Sequence, residues 1–267
     1  MKRILITGAA GGIGSVLRAG LRNAYPLIRL SDKRPLSVPS SGEECVVADL
    51  GDFDAIRSIV DGMDCVVHLG GVPREGDWAA ILEANIVGTR NMFEAARLGG
   101  IKRVVFASSN HVIGYYRSSR KVGIDELPRP DSRYGVSKVF GEAIGQLYAD
   151  KHGMSVAALR IGSFREKPED ARQLSTWISP RDMVQLVRCA IDAPDYNFLV
   201  LYGVSNNTRG RWLNPAAKFI NYRPKDNAEM YAEQFVAPIA DGTDPAVEFQ
   251  GGSFCAMEFS NKIAKIQ

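Results

Sequence analysis

Two side chains with acid–base chemistry lie four residues apart near the middle of the chain. Tyr134 and Lys138 fall in a segment whose pattern, through Tyr148, predicts a helix, and residues four apart on a helix share one face. A tyrosine serves as a general base at neutral pH only when its pKa, about 10 in the free side chain, is lowered, and a neighbouring cation favours the phenolate. We expect Lys138 to be that cation. The same pair also fits two ordinary surface residues on an amphipathic helix.

A glycine-rich turn near the N-terminus is the strongest local signal. The run Arg3–Thr7 predicts a strand, the turn follows at once, and a helical pattern comes next. Gly8 permits a tight turn, Gly11 lets backbone N–H groups approach a pyrophosphate, and Gly14 lets the helix pack closely on the strand. A flexible loop is the alternative. We predict that a dinucleotide is bound by this turn, that is by Gly8, Gly11, Gly12, Ile13 and Gly14.

The next strand ends on an acid that bears on cofactor choice. Leu27–Leu30 leads to Asp32, eighteen positions past Gly14. A carboxylate there accepts hydrogen bonds from the adenosine ribose and repels a 2′-phosphate, which predicts NAD. Lys33 and Arg34 could instead receive the phosphate of NADP or form a solvated loop. Because the acid comes first and the glycine turn carries no basic residue, we predict NAD.

Two further strands complete the predicted cofactor crevice. Cys45–Ala48 leads to Asp49, whose carboxylate could reach the adenine amino group or equally cap the next helix. Cys65–Leu69 is continuously apolar, as a buried parallel strand requires, and ends in Gly70 and Gly71. Bare backbone at that edge allows a cofactor to lie against it. The predicted cofactor contacts in this part of the chain are Asp49, Leu50, Leu69, Gly70 and Gly71.

Two polar residues in this region have contrasting predicted roles. His68 lies inside an apolar strand, where a core histidine with satisfied hydrogen bonds is more common than a ligand or a base. Asn85 lies in the predicted helix Trp78–Leu98 and is expected beside the cofactor, tying the sheet to the helix of Tyr134. The alternative for Asn85 is a polar residue on a helix face.

The strand Arg103–Ala107 delivers a polar cluster to the carboxyl edge of the sheet, where ligands bind in open α/β folds. Ser109 could hydrogen-bond both a substrate oxygen and the phenol of Tyr134. Asn110 and His111 offer donors and acceptors to a hydroxyl-rich ligand. The alternative is a capping turn that satisfies its own backbone.

The second half supplies a candidate for binding an anion. A strand at 155–160 presents Ser163 to the same crevice, and a polar stretch with Arg165 and Arg172 follows. The planar fork of arginine suits a carboxylate, and the residues alone do not choose between the two arginines or exclude two solvated charges. A helix at 179–191 and a strand at 198–202 follow.

Composition indicates an ordinary globular chain. Its 267 residues are 45% hydrophobic and 24% charged, and 33 basic against 30 acidic residues give a net charge of +3, which does not call for nucleic acid. The four cysteines lack metal-ligand spacing and are expected to be reduced core thiols. The sequence has neither a signal peptide nor a membrane-spanning pattern, so we expect a cytoplasmic protein.

We predict a single Rossmann domain over 1–267, an α/β doubly wound parallel sheet with a small C-terminal appendage. Residues about 163–178 and 204–267 are expected to form a small substrate-binding portion.

Together these motifs resemble the short-chain dehydrogenase/reductase superfamily in its extended, epimerase/dehydratase-like branch. The resemblance covers the chain to about Ser205. It rests on Thr7-Gly8-x-x-Gly11-x-x-Gly14, Asp32, Asp49-Leu50, Ser108-Ser109 and Tyr134-x-x-x-Lys138.

A closer similarity is to bacterial uronate dehydrogenases. It is carried by segments 106–116, 129–131, 160–163, 174–177 and 249–252. The resemblance implies NAD-dependent oxidation of cyclic D-glucuronate or D-galacturonate to an aldarolactone, without a metal. It also implies a catalytic set of Ser109, Tyr134 and Lys138, and a substrate site of Ser109, Asn110, His111, Tyr134, Ser163 and Arg172, with Arg172 against the sugar carboxylate. The chain departs from the family at Pro73, where members carry a serine that helps to bind substrate.

Two other functions fit parts of the same pattern. One is a nucleotide-sugar epimerase or dehydratase with retained NAD, although the chain leaves little room for the longer C-terminal subdomain of such enzymes. The other is a non-catalytic NAD-sensing protein, which would not need a base at Tyr134. The superfamily also implies a homo-oligomer.

Overall fold

Seven parallel strands form one sheet in the computed structural model, which describes residues 2–236, 238 and 240–266. Their order is β3-β2-β1-β4-β5-β6-β9, so the strand order reverses between β1 and β4 and a crevice opens at the carboxyl ends of those two strands. A separate pair, β7 and β8, runs beside the sheet. The strands are β1 Arg3–Thr7, β2 Leu27–Asp32, β3 Glu43–Val47, β4 Cys65–His68, β5 Arg103–Ser109, β6 Ser155–Ile161, β7 Ser163–Phe164, β8 Trp177–Ile178 and β9 Phe198–Gly203.

Helices cover both faces of the sheet, and the predicted doubly wound α/β class is confirmed. They are α1 Gly12–Gly20, α2 Phe53–Val60, α3 Trp78–Ile81, α4 Gly88–Leu98, α5 Arg133–His152, α6 Gln173–Thr176, α7 Pro180–Asp192, α8 Ala216–Phe219, α9 Pro245–Glu248 and α10 Ser253–Ala256. Short 3₁₀ turns lie at Asn110–Ile113, Ala228–Gln234 and Ile263–Lys265.

Alternation along the strands builds a hydrophobic layer on each face. Ile4 and Ile6 of β1 pack in one layer with Leu17 of α1. Leu5, between them, points the other way and packs in a second layer with Phe93 of α4. All five side chains are fully buried, and burying each contributes about 1.5–3 kcal/mol of hydrophobic stabilisation. The two layers hold the strands in one register, so the position of the crevice at their carboxyl ends is also set.

The long helix α5 is placed by its ends and by a close approach to β5. Ser132 caps it by accepting a hydrogen bond from the N–H of Gly135 at 2.9 Å, and Gly153 ends it in the left-handed region at φ 67°. A Cβ on Gly141 would lie 2.1 Å from Phe106, so only glycine allows this approach to the sheet. The first turn of α5 is thereby held against the end of β5.

The predicted strands and long helices are confirmed, with two local differences. The helix predicted over Trp78–Leu98 contains a π-helical stretch at Leu82–Val87 between α3 and α4, and such stretches are common at functional sites. The alternative in which Asp49 caps the next helix is wrong, because Asp52 accepts the hydrogen bond from Ala55 N–H at 3.0 Å and caps α2.

The chain after β9 forms the predicted small C-terminal appendage and returns to the sheet. Its short helices and turns end in a segment that packs Phe249 and Cys255 with Tyr115. Gln250 fixes this segment by donating to the carbonyls of Arg117 and Arg120, at 3.0 and 2.9 Å. The C-terminal part of the protein is thus attached near the carboxyl edge of β5.

Two smaller predictions also meet the structure. No helix among the described residues is long and apolar enough to span a bilayer. All four cysteines are free, and Cys65 and Cys255 are core residues as expected, whereas Cys45 and Cys189 are only partly buried.

Candidate active site

Three polar side chains meet where β5 ends and α5 begins. Ser109 is the last residue of β5, and its hydroxyl lies close enough to the phenol of Tyr134 to act on the pKa of that phenol. Lys138 lies one turn further along α5, with Nζ 5.5 Å from the Tyr134 ring centroid and 5.1 Å from that of Phe106. All three polar side chains are buried. The structure therefore brings together the three residues predicted to be catalytic.

The pKa of the phenol moves in the direction opposite to our expectation. Burial raises the pKa of Tyr134 to about 12, with a small contribution from the charge of Asp131, while the hydroxyl of Ser109 opposes the rise. Burial also lowers the pKa of Lys138 to about 8. We predicted that Lys138 and the positive charge of the nicotinamide together lower the pKa of Tyr134; among the protein groups alone, burial is the largest influence and raises it.

The glycine turn forms a cradle without side chains. Gly8 has φ 69°, and a Cβ there would lie 2.7 Å from the backbone N of Gly70. A Cβ on Gly14 would lie 2.5 Å from the carbonyl oxygen of Gly8. Gly11 is the N-cap residue of α1 and supplies no side-chain cap, and the first turn of the helix contains no acid. Free N–H groups and the positive end of the helix dipole are therefore presented to an anion.

Asp32 stands at the end of β2 beside that turn. Its Oδ2 accepts a hydrogen bond from Ala10 N–H at 3.0 Å, and its Oδ1 accepts one from Arg34 N–H at 3.0 Å. The guanidinium of Arg34 lies against it, 3.4 Å from Oδ1, and donates to the Ala10 carbonyl at 3.0 Å. The acid thus lies where a ribose diol is expected. A cavity of about 540 Å³ that adjoins the turn is lined by Ala9, Ala10 and Arg18, among others.

The predicted contacts after β3 and in and after β4 pack near the end of β1. A Cβ on Gly70 would lie 2.8 Å from the Leu50 side chain, so Leu50 covers the bare backbone there. Leu69 and Gly70 are anchored to Thr7 by their N–H groups, at 3.3 Å each. Asp49 accepts a hydrogen bond from Gly51 N–H at 2.8 Å and turns the chain towards α2.

The side chains of His68 and Asn85 are both buried, and both are hydrogen-bonded to neighbouring residues. His68 is hydrogen-bonded to Thr7 at 2.8 Å and to Thr89 at 3.4 Å, and burial lowers its pKa to about 3, so it is the neutral core histidine we predicted. Asn85 accepts from Val72 N–H at 2.7 Å and donates to the Val72 carbonyl at 3.1 Å and to Ser137 Oγ at 3.0 Å. It links the segment after β4 to α5, and since both its N–H groups are used, it shapes the cofactor site indirectly.

Arg172 is held on the other side of the crevice. Its Nε donates to the Gln250 carbonyl at 2.8 Å. With the Asn110 amide oriented to suit its neighbours, Asn110 donates to the Ile161 carbonyl and accepts from Arg172 Nη2, both at 3.1 Å. No ion pair among the described residues includes Arg172. Arg165, by contrast, is exposed and pairs with Glu169 at 2.9 Å.

Comparison with known proteins identifies the family. The family described as "NAD dependent epimerase/dehydratase family" matches residues 4–181. The chain belongs to this family.

The resemblance to uronate dehydrogenases is also confirmed. The chain is 44% identical to a uronate dehydrogenase from Pseudomonas syringae pv. tomato, over 95% of this chain and 93% of that protein. It is 45% identical to a uronate dehydrogenase from Agrobacterium fabrum, over 95% and 97% of the two chains. The structure of a mutant uronate dehydrogenase from Agrobacterium tumefaciens complexed with NAD has a TM-score of 0.90 and 44% identity, covering 96% of this chain and 97% of that chain.

The described residues fit the cofactor that gives the family its name. The open N-terminus of α1 suits a pyrophosphate, and the carboxylate of Asp32 suits a ribose diol. NAD would be held by the glycine turn and by the ends of β2 and β4. The chemistry it would supply is acceptance of a hydride.

Four residues of the site were missed in the sequence. Glu75 accepts a hydrogen bond from Tyr134 N–H at 2.9 Å and pairs with Arg133 at 3.0 Å, so it fixes the start of α5. Thr176 is hydrogen-bonded to Ser163 at 2.9 Å. Asp131 and Phe254 both contact His111. An acid shortly after the glycine pair was a visible signal for Glu75. Asp131 and Thr176 lie in segments that carry the family resemblance but were assigned no role, and nothing in the local sequence marked Phe254.

Proposed function

We propose that this protein catalyses the NAD-dependent oxidation of a free hexuronate, D-glucuronate or D-galacturonate, at C1 to the aldarolactone. The observation that carries the proposal is Arg172, a guanidinium with no carboxylate partner among the described residues, held by Asn110 next to the Ser109 and Tyr134 pair. A planar guanidinium binds a carboxylate through two parallel charge-assisted hydrogen bonds. Similarity to uronate dehydrogenases along nearly the whole chain supports the same activity.

Tyr134 is the general base in this proposal. Its phenol oxygen takes the proton from the C1 hydroxyl of the pyranose, and the hydroxyl of Ser109 hydrogen-bonds the same oxygen and orients it. NAD, when bound, supplies the acceptor for the hydride that leaves C1. Fixing the hydroxyl beside its base removes an entropic cost of roughly 7–11 kcal/mol from the barrier. The product is a 1,5-lactone.

Lys138 stabilises the phenolate electrostatically. Because burial raises the pKa of Tyr134 to about 12, the phenolate needs a positive charge nearby before it forms at neutral pH. Lys138 is the cation on the same face of α5, and a pKa of about 8 leaves it mainly protonated at neutral pH. The positive charge of the cofactor acts in the same direction.

The substrate is held by residues from three segments. Asn110 and His111 follow β5, Ser163 begins β7, and Arg172 ends the loop before α6. Ser163 and His111 would bind sugar hydroxyls, and Arg172 would bind the carboxylate. The side chain of Pro73 has no hydrogen-bonding group, so the loop after β4 contributes through Glu75, which accepts a hydrogen bond from Tyr134 N–H at the start of α5.

A panel of free sugars tests the proposal directly. Purified protein is mixed with NAD and, separately, glucuronate, galacturonate, glucose, galactose and a UDP-sugar, and NADH absorbance is followed. We expect NADH with the uronates and much less with the neutral aldoses. No NADH with any free sugar, together with conversion of the UDP-sugar, would indicate the nucleotide-sugar epimerase or dehydratase alternative, which the relatives do not favour. NAD binding without turnover of any sugar would indicate a sensor.

The remaining expectations stay proposals. We propose a single domain over 1–267, in which 163–178 and 204–267 contribute the substrate-binding portion, and a cytoplasmic homo-oligomer that does not bind nucleic acid. Exposed apolar side chains on neighbouring helices, Trp78, Leu82 and Val136, support self-association. Light scattering of the purified protein measures its oligomeric state.

A further inference from the structure

Asp131 is a buried carboxylate beside the active site that the mechanism above does not use. Its side chain is fully buried, with 0% exposed. Its Oδ2 lies 2.7 Å from His111 Nδ1, and its Oδ1 accepts a hydrogen bond from Ser132 Oγ at 2.7 Å. Burying a charge costs free energy unless it is paired and hydrogen-bonded. A carboxylate retained here therefore points to a specific role.

Two glycines leave room for this carboxylate because they have no side chains. A Cβ on Gly114 would lie 1.8 Å from Asp131 Oδ2, and a Cβ on Gly251 would lie 1.7 Å from the same atom. These two glycines are far apart in the sequence and are joined by a hydrogen bond from Gly251 N–H to the Gly114 carbonyl at 2.9 Å. Two close backbone approaches thus enclose the carboxylate and leave it little freedom.

The partner of Asp131 is held in one orientation by aromatic contacts. The His111 ring stacks on Phe254, with centroids 4.0 Å apart and planes at 16°. It meets the Tyr134 ring edge to face at 5.7 Å. No hydrogen bond among the described residues ends on His111 Nε2, and 13% of the side chain is exposed. The imidazole is therefore fixed at Nδ1 and open at Nε2.

A carboxylate at Nδ1 also determines which nitrogen carries the proton. An ionised carboxylate only accepts hydrogen bonds, so it selects the tautomer with the proton on Nδ1. Nε2 then keeps its lone pair and can accept a hydrogen bond from a hydroxyl. Outer carboxylates orient histidine ligands of metals in the same way.

We propose that Asp131 is a positioning residue for the oxidation: it fixes the ring plane and tautomer of His111 so that Nε2 accepts a hydrogen bond from a hydroxyl of the sugar acid. This inference rests on the proposed function. Asp131 does not touch the reacting atoms and acts through His111.

The tautomer is measured without reference to activity. The chain has three histidines, so ¹⁵N-histidine spectra of the full protein are simple, and His111→Gln assigns the signal of His111. In the wild type at neutral to mildly alkaline pH we expect a proton on Nδ1 and none on Nε2. A proton on Nε2 overturns the proposal, even if Asp131→Asn fails to fold.

Kinetics then test whether Asp131 acts through His111. Asp131→Asn keeps the size of the side chain but can donate to Nδ1, which favours the opposite tautomer. We expect KM for the uronate to rise about tenfold, the worth of one hydrogen bond to a polar group, with kcat and NAD affinity little changed. In a His111→Gln background the same substitution should change KM less than about twofold, because the interaction is already lost. Equal effects in both backgrounds would contradict the proposal.

Asp182→Asn is the matched control. Asp182 is another fully buried carboxylate, held by Ser205 Oγ at 2.7 Å and by the N–H of Asp226 at 2.9 Å. Its substitution should lower thermal stability without changing KM, and an equal rise in KM would show that Asp131→Asn acts through general destabilisation. The proposed function is contradicted by a different result, namely that the wild type oxidises no uronate. The measurement of the His111 tautomer does not depend on that activity.

Discussion

The two sides of the crevice are built in different ways. On the cofactor side, the glycine turn directly follows β1, Asp32 ends β2, and Gly70 follows β4, so these residues lie at or directly after strand ends. On the substrate side, the contacts join distant parts of the chain. Arg172 donates to the Gln250 carbonyl, 78 positions away, and Phe254 stacks on His111.

This difference explains which side can change independently. Parallel strands bring their carboxyl ends to one edge, so local motifs suffice to assemble the cofactor side. The substrate side depends on how the C-terminal segment packs against β5 and the loop before α6. We therefore expect substitutions in the substrate wall to alter KM for the sugar while leaving NAD binding intact, and the converse for the cofactor side.

Tyr134→Phe, at the boundary of the two sides, should have the largest effect. Removing the phenol oxygen removes the general base, so we expect kcat to fall by about a thousandfold. The affinity for NAD, measured by titration of the variant, should change little. Near wild-type turnover at saturating NAD would exclude Tyr134 as the base.

The pH dependence of kcat/KM in the wild type and in Tyr134→Phe gives a second test of the general base. Since the base acts in its deprotonated form and burial raises the pKa of Tyr134, we expect kcat/KM of the wild type to rise with pH through the neutral and mildly alkaline range. The residual activity of Tyr134→Phe should lack this rise. A rise retained in the variant would assign the titration to another group.

Arg172→Ala tests the substrate side with the next largest effect. Losing the charge that faces the carboxylate should lower kcat/KM for a uronate by roughly a hundredfold, in line with about 2–5 kcal/mol for a buried charged partner. The lower activity with a neutral aldose should be nearly unchanged, as should NAD affinity. Arg165→Ala is the control, because Arg165 is exposed and pairs with Glu169. A uronate kcat/KM unchanged in Arg172→Ala would place the carboxylate elsewhere.

The sequence predicted the cofactor side well because its signals are local. The glycine spacing predicts a turn between a strand and a helix. Asp32 marks the end of a strand, and the apolar run Cys65–Leu69 predicts a buried parallel strand. The tie of Asn85 to α5 was also anticipated, although its two occupied N–H groups were not. Ser109 and Tyr134 were predicted to meet because a strand end and a helix start lie at the same edge of the sheet.

The substrate side was predicted only where the family resemblance reached it. Arg165 and Arg172 were indistinguishable from the residues alone, and only tertiary packing places one in solvent and the other beside Asn110. Asp131 lies in a segment that carries the resemblance but was given no role, and Phe254 carries no local motif, because the partners of both are set by packing. The direction of the Tyr134 pKa was wrong because helix spacing gives proximity to Lys138 but says nothing of the burial that opposes it.

Asp32→Ala tests the cofactor side. We expect NAD affinity to fall about tenfold, the worth of a hydrogen bond to a charged group, and discrimination against NADP to weaken because the repelling charge is gone and Arg34 is released. KM for the uronate at saturating NAD should not change. Titrations with NAD and NADP measure both effects. An unaltered ratio of the two affinities would remove Asp32 from cofactor selection.

Gly252→Ala should have the smallest effect and the most selective one. Gly252 has φ 66°, and a Cβ there would lie 2.8 Å from Cδ and Nε of Arg172, so the guanidinium must shift. We expect KM for the uronate to rise about fivefold, equivalent to about 1 kcal/mol, while NAD affinity stays constant. Steady-state kinetics and NAD titration measure the two sides separately.

Gly153→Ala separates backbone strain from the displacement of Arg172. Gly153 has φ 67°, and a Cβ there would meet no atom within 4 Å, so the substitution introduces an unfavourable backbone conformation far from the crevice. Both variants should lose roughly 1 kcal/mol or more of stability in denaturant unfolding. Only Gly252→Ala should raise KM. If both variants raised KM alike, the substrate wall would respond to global stability, and the independence of the two sides would be lost.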